Sequence, residues 1–206
     1  MSWVNKLGSL LTLVALCIPS VAGAQEVTGG RAQTVLTGGV SHGGFGAVHL
    51  RAGKVGNERS LFMGGEAAWV ANQRLILGVG VWALVSGNAR IATSSGAEDE
   101  SAPLRMGYAG ALVGYRIAPA AIVHPTASIL IGAGGASIAD SQAAGDDDDA
   151  FFVAEPALGV ELNVASFVRL GVGASYRWVA GVELAGLRDE DLSGLTGELS
   201  LRLGRF

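Results

Sequence analysis

The residues best suited to chemistry are three histidines and the hydroxyls near them. His42, His49 and His124, with Ser41 or Ser128 as nucleophile, invite a hydrolase reading. Such a site needs its acid, base and nucleophile on one rim. The strand map below sets His124 at one end and turns His49 inward, so no Asp, His and Ser converge. Asp146 to Asp149 offers hard oxygen ligands to a divalent cation. It lacks the Gly and terminal Glu of an EF-hand loop, and a solvated surface loop is the plainer reading. Gly132-Ala133-Gly134-Gly135 is followed by no Lys-Ser or Lys-Thr, so it is not a phosphate loop. No motif implies a cofactor.

The largest chemically coherent set is ionic. His49, Arg51, Glu66, Arg105, Glu155, Glu161, Arg169, Arg177, Glu198 and Arg202 share one strand face by parity, with five arginines against four glutamates. Charges gathered on one face must be paired, because unpaired burial is costly. Guanidinium and carboxylate suit each other through bidentate hydrogen bonds. This set predicts a salt-bridge network inside a closed sheet.

The elements that would position it are strands. Of 206 residues, 50% are hydrophobic and only 16% charged, and there are 32 glycines. Glycines punctuate nearly every apolar stretch, which disfavours helices. The uncharged stretch Ile117 to Ala139 carries Pro119, Pro125 and three glycines, against a transmembrane helix. A period of two is clear instead. Val168, Leu170, Val172, Ala174, Tyr176 and Trp178 alternate with Arg169, Gly171, Gly173, Ser175 and Arg177. Leu199, Leu201 and Leu203 alternate with Glu198, Ser200 and Arg202.

About eight such segments begin near Ala47, Leu61, Leu75, Leu104, Ala121, Phe151, Phe167 and Leu195. Short connections at 71–73, 119–120 and 164–166 alternate with long polar ones at 86–101, 139–150 and 181–194; the first connection, 54–60, is intermediate. The three long connections hold 12 of the 18 acidic residues. This predicts an all-β, antiparallel up-and-down transmembrane β-barrel of about eight strands, long loops outside and termini periplasmic. Aromatic residues near predicted strand ends form two belts: Trp82, Tyr108, Phe152, Tyr176 and Trp178 at the outer rim, Trp69, Tyr115, Phe167 and Phe206 at the inner. A soluble β-sandwich is the alternative that periodicity leaves open. Pro156 interrupts a predicted strand and calls for a bulge or a later start.

Residues 1–24 read as a signal peptide: Lys6, an apolar run from Leu7 to Ile18, then Ala22-Gly23-Ala24. The sole cysteine, Cys17, lies within it, so the mature chain is free of disulfides and thiolate chemistry. Residues 25–44 are a polar lead-in and 45–206 the barrel. Export with a barrel fold predicts the outer membrane of a Gram-negative-type cell. Lipid and lipopolysaccharide are then the expected partners. The net charge of −4 argues against nucleic acid.

The chain resembles the small eight-stranded outer-membrane barrels of the outer-membrane protein A and X type. More narrowly it is similar to a group of exported Gram-negative barrels. That likeness is carried by Gly43-Gly44-Phe45-Gly46, Phe151 to Pro156, Glu161-Leu162-Asn163, Arg169 to Arg177, Asp191 to Gly194 and Leu203-Gly204-Arg205-Phe206. The resemblance implies fold and location but no established activity. It also implies that Phe206, with Leu199, Leu201 and Leu203, forms an assembly signal for the barrel-assembly machinery, although the leucines stand in the opposite parity to Phe206. The leading functional expectation is a plugged, non-catalytic barrel with a structural or surface role. A narrow channel or binder of small hydrophobic solutes is the alternative, and a lipid-modifying enzyme the second.

Overall fold

The structure is a computed structural model that describes residues 40–87, 90–92, 101–138, 148–183 and 187–206. Nine strands follow in chain order: β1 (His42–Val55), β2 (Glu58–Ala71), β3 (Leu75–Gly87), β4 (Arg90–Ala92), β5 (Ser101–Arg116), β6 (Val123–Ile138), β7 (Asp148–Ala165), β8 (Val168–Ala180) and β9 (Gly194–Arg205). One four-residue helix, α1 (Asp189–Leu192), precedes β9. All pairings are antiparallel, and β1 pairs with both β2 and β9. β3 and the short β4 lie along the same edge of β5, so eight strands close the ring.

The registers fix the geometry of closure. Gly43 pairs with Val70, then Ile76, Gly114, Ser128, Ala157, Ser175 and Thr196 in turn, and Thr196 pairs with Gly53. One circuit therefore returns to β1 ten residues further on. At about 3.3 Å per residue and about 4.8 Å between strands, this tilts the strands roughly 40° and sets a backbone radius of about 8 Å.

Short turns gather at one rim, hereafter the turn rim. Asn72 and Gln73 both have positive φ, as a tight hairpin with a primed turn requires. The opposite loop rim carries the connections after β3, β6 and β8. It also carries a two-residue turn after β1, where Gly56 takes φ +57. The first connection is thus tight rather than intermediate, because β1 and β2 pair up to Val55 and Glu58. β1 begins at His42, inside the segment read as lead-in. Pro156 needs neither bulge nor late start. It pairs with Ile129 on one side; on the other, the ladder to β8 omits residues 155 and 156 and resumes in the same register.

The faces are inverted relative to a soluble protein. Among the described residues, thirty large hydrophobic side chains are exposed and nineteen hydrophobic residues are buried. Burying such a side chain is worth about 1.5–3 kcal/mol, so this outer surface demands an apolar covering. Arg, Glu and His occupy the interior.

Two aromatic residues depart from the expected belt. Trp82 and Tyr108 are 1% and 3% exposed and stack in the lumen with centroids 5.6 Å apart. On β3 the large residues facing out are Leu75, Leu77, Val79, Val81 and Val85 instead. Glycine makes room for the indole: a β-carbon on Gly80 or Gly64 would collide with the Trp82 ring. Gly80→Ala should therefore cost about 1–3 kcal/mol as an overpacked interior does, read from the denaturation midpoint in detergent. Gly46→Ala, with nothing nearer than 4.0 Å, should stay within about 0.5 kcal/mol.

Candidate functional site: the charged lumen

A radius of about 8 Å leaves an interior that side chains can fill, and the inward rows of seven strands supply them. Alternation places His49 and Arg51 on β1, Glu66 on β2, Tyr108 and Arg116 on β5, and His124 on β6. Glu155 and Glu161 come from β7, Arg169 and Arg177 from β8, and Glu198 and Arg202 from β9.

These groups form one chain of contacts along the lumen. Near the loop rim, Glu155 accepts hydrogen bonds from Tyr108 Oη at 2.7 Å and Ser175 Oγ at 2.5 Å. Arg51 donates to Glu155 from Nη1 at 2.8 Å and to Glu198 from Nε at 2.6 Å. His49 Nδ1 meets Glu198 at 3.0 Å, and its Nε2 lies 3.2 Å from Glu66. Arg202 spans the middle, 3.7 Å from Glu66 and 3.2 Å from Glu161. Gly171 leaves space for it, since a β-carbon there would come within 2.7 Å of its Nη1. At the turn rim, Glu161 is ringed by Arg116 at 2.9 Å, His124 at 3.2 Å and Arg169 at 3.4 Å.

Rings complete what carboxylates leave open. The Arg51 guanidinium lies 4.1 Å from the Trp82 centroid, Arg177 4.4 Å from Phe62, and Arg169 3.9 Å from Phe206. Arg116 is fully buried, with Nη1 and Nη2 outside any hydrogen bond. It sits about 5 Å from both Phe45 and Phe206. Cation–π attraction of this kind strengthens when desolvated.

Side chains pack at both ends of the described lumen. At the turn rim, Phe45 on β1 and Phe206 at the end of the neighbouring β9 pack 5.8 Å apart. At the loop rim, α1 brings Leu192 to full burial and Leu187 close to it. Arg177 Nε donates to the Leu192 carbonyl at 2.7 Å, and Val179 N to Ser193 Oγ at 3.0 Å. Between the mouths remains a polar cavity of about 30 Å³, bordered by Arg51, Glu66, Ser128, Glu198 and Arg202. That is room for about two waters.

Most of the charged set expected inside is found there, with one exchange. Arg105 is exposed on the outward face of β5, and Arg116 takes its place in the lumen. β5 is inverted as a whole: Leu104, Met106, Tyr108 and Leu112 point inward with Arg116. The signal was its shared parity with Tyr108, masked by small residues on both faces. Leu199, Leu201 and Leu203 face outward, while Phe206 is half-buried against Arg169. Trp69, Tyr115 and Phe167 are exposed toward the turn rim; Phe152, Tyr176 and Trp178 are exposed toward the loop rim.

The histidines are divided. His42 is exposed and stacks on Trp69 at 5.5 Å, whereas His49 and His124 are held by glutamates. Among the described residues none is hydrogen-bonded to a serine. Asp146 and Asp147 lie outside the described residues. Asp149 accepts from Ala150 N at 2.8 Å and from Glu183 N at 2.5 Å. Among the described residues no cluster of acids, histidines or cysteines could hold a metal.

Removing Glu161 would leave Arg116, His124 and Arg169 without their shared anion. Glu161→Gln should therefore destabilise the barrel by about 3–5 kcal/mol, as breaking a buried ion pair does. Arg105→Gln, on the outer face, should change stability by less than about 0.5 kcal/mol. Urea denaturation of the folded protein in detergent measures both.

No protein-family model matches the chain, and no curated protein matches it. Solved structures do. Neisserial surface protein A (NspA) superimposes with a TM-score of 0.56 at 16% identity, covering 82% of this chain and 99% of that one. Ail, the attachment invasion locus protein of Yersinia pestis, gives 0.45 at 12% identity, covering 79% and 97%. The outer membrane protein OprG from Pseudomonas aeruginosa gives 0.48 at 11%, covering 79% and 95%. The chain thus shares its fold, a closed eight-stranded antiparallel barrel, with Neisserial surface protein A.

Proposed function

We propose that this chain is an outer-membrane β-barrel with a plugged, non-conducting interior and a structural or surface-interaction role without catalysis. The observation that carries the reading is the inversion of its faces: an aliphatic exterior around a lumen of paired Arg, Glu and His. Only a hydrocarbon surround makes that arrangement favourable. The aromatic positions support it. Phe167, in the turn just before β8, stands nine positions before Tyr176 and eleven before Trp178. At a tilt of roughly 40° these separations span about 22–28 Å along the axis, close to the height of a barrel's lipid-facing band.

Closure of the lumen is supported by the side chains packed at both ends and by a cavity with room for waters only. That volume is too small for a hydrophobic solute, for which pockets are commonly about ten times larger. A non-catalytic role is supported by the engagement of His49 and His124 with glutamates, apart from any serine. The long-loop rim faces the cell exterior and the turn rim the periplasm, as loop lengths in such barrels require. The outward row Leu199, Leu201 and Leu203, ending near Phe206, is the segment offered to the assembly machinery.

Two measurements test this. Protein extracted from outer-membrane fractions should run as a compact band on a cold SDS gel that shifts on boiling, and should give no steady single-channel steps in a planar bilayer. Reproducible steps would favour the narrow channel, and recovery as a soluble periplasmic protein would favour a sandwich. Leu201→Arg, on the outward face of β9, should lose about 2–4 kcal/mol of stability in lipid vesicles, the cost of arginine facing mid-bilayer. Stability unchanged in vesicles would reject lipid contact on that face.

A further inference from the structure

The outer face of the loop rim is not uniform. Over β7 and β8 its outward rows end in Phe152, Tyr176 and Trp178. Over β1, β2 and β5 they end in cations. The row Val48, Leu50 and Ala52 ends in Lys54; Met63 and Leu61 lead to Arg59; Val113, Ala111 and Ala109 lead to Arg105. On this arc Trp82 and Tyr108 have turned into the lumen, so no aromatic is left to meet the interface there.

The cations are placed where repulsion should have removed them. Lys54 and Arg59 are direct cross-strand partners with both side chains exposed. Like charges directly opposite in a ladder are unfavourable. Among the described residues, none of Lys54, Arg59 and Arg105 makes an ion pair. Arg105 lies two strands from Arg59 across β3 and, by the registers, about three residues nearer the middle of the wall, so their backbones are roughly 14 Å apart. An anion shared by Lys54 and Arg59 removes the repulsion, and a second anion fits Arg105. Arginine binds phosphate bidentately and lysine as a point charge, and both can lay their stems along apolar surface.

We infer that Lys54, Arg59 and Arg105 form a docking surface on the outer wall for the headgroup of a lipid carrying two phosphates, such as the lipid A moiety of lipopolysaccharide. The inference rests on the membrane reading above and on the loop rim facing the leaflet that holds such lipids. The acyl chains of that lipid would lie along the aliphatic rows below, and its phosphates at the level where those rows end.

The test uses the protein purified in detergent, stripped of lipid and shown by the cold-gel shift to be folded. Native mass spectrometry would follow titration with diphosphoryl lipid A, monophosphoryl lipid A and phosphatidylcholine. The wild type should bind the diphosphoryl lipid most tightly. K54S/R59S/R105S should lose about tenfold or more of that affinity, the effect of one or more charge-assisted hydrogen bonds. K54R, which keeps all three cations and adds a guanidinium fork, should keep it. Arg188→Ser, a loop cation paired with Glu190 at 2.7 Å, should also leave it unchanged. Equal binding by the triple serine variant, or no preference of the wild type among the three lipids, overturns the inference. So does displacement of the lipid by millimolar inorganic phosphate, which would mark a simple anion site. A wild type without the cold-gel shift fails at the earlier step and overturns the membrane reading instead.

Discussion

Eight strands joined with a circuit offset of ten residues leave a tube of about 8 Å backbone radius, and the contents of this protein follow from that width. A wider tube would hold water that solvates its charges one by one. A narrower one would hold only small side chains. At this radius, inward side chains reach past their neighbouring strands: Arg51 on β1 meets Glu155 on β7, three strands away, and Arg116 on β5 meets Glu161 on β7 over β6. Each charge must then find its counter-charge among side chains rather than in solvent, so the composition of one inward row constrains the others.

The lumen meets this constraint without equal numbers. Five arginines and two histidines face four glutamates within the described interior. Carboxylates are therefore shared, and Glu161 alone meets Arg116, Arg169, Arg202 and the His124 ring. Guanidinium surfaces that no carboxylate reaches lie over rings: Trp82, Phe62, Phe45 and Phe206. The inward aromatics thus act electrostatically as well as by filling space. They also explain the glycines around them, since Gly64 and Gly80 are where the Trp82 indole lies against the wall.

That use of aromatics decides which strands could be read from the residues alone. From Arg169 to Arg177 on β8 and from Thr196 to Gly204 on β9 every inward position is charged, small or hydroxylic, and parity names the faces. On β7 the charges Glu155 and Glu161 do the same although Phe151 and Val153 are buried. On β3 and β5 the lumen side holds Ile76, Trp82, Met106, Tyr108 and Leu112. Hydrophobicity then marks both faces, and the single arginine near the start of β5 points to the wrong one. Arg105 lies four positions inside the loop rim, where an outward cation meets headgroups or water in a membrane. Arg116 lies at the other end of the strand and can only be recognised once Tyr108 is known to face inward. The burial of Leu192, whose carbonyl accepts from Arg177 Nε, cannot be read from the residues either, because it depends on where α1 packs.

The two faces of β3 and β5 are coupled. Turning Trp82 and Tyr108 inward gives Arg51 and Glu155 their ring and hydroxyl partners. By strict alternation it also turns the neighbouring residues outward, which puts Val81 and Val85 on the wall and Arg105 on the rim. A strand cannot supply an aromatic to the lumen and to the interface at the same position. On the membrane reading proposed above, the arc whose aromatics complete the internal network would meet the interface by other means, and long cationic side chains are a residue type that bridges apolar surface and polar headgroup. The cationic rim and the aromatic lumen are in this sense two consequences of a single choice of strand parity.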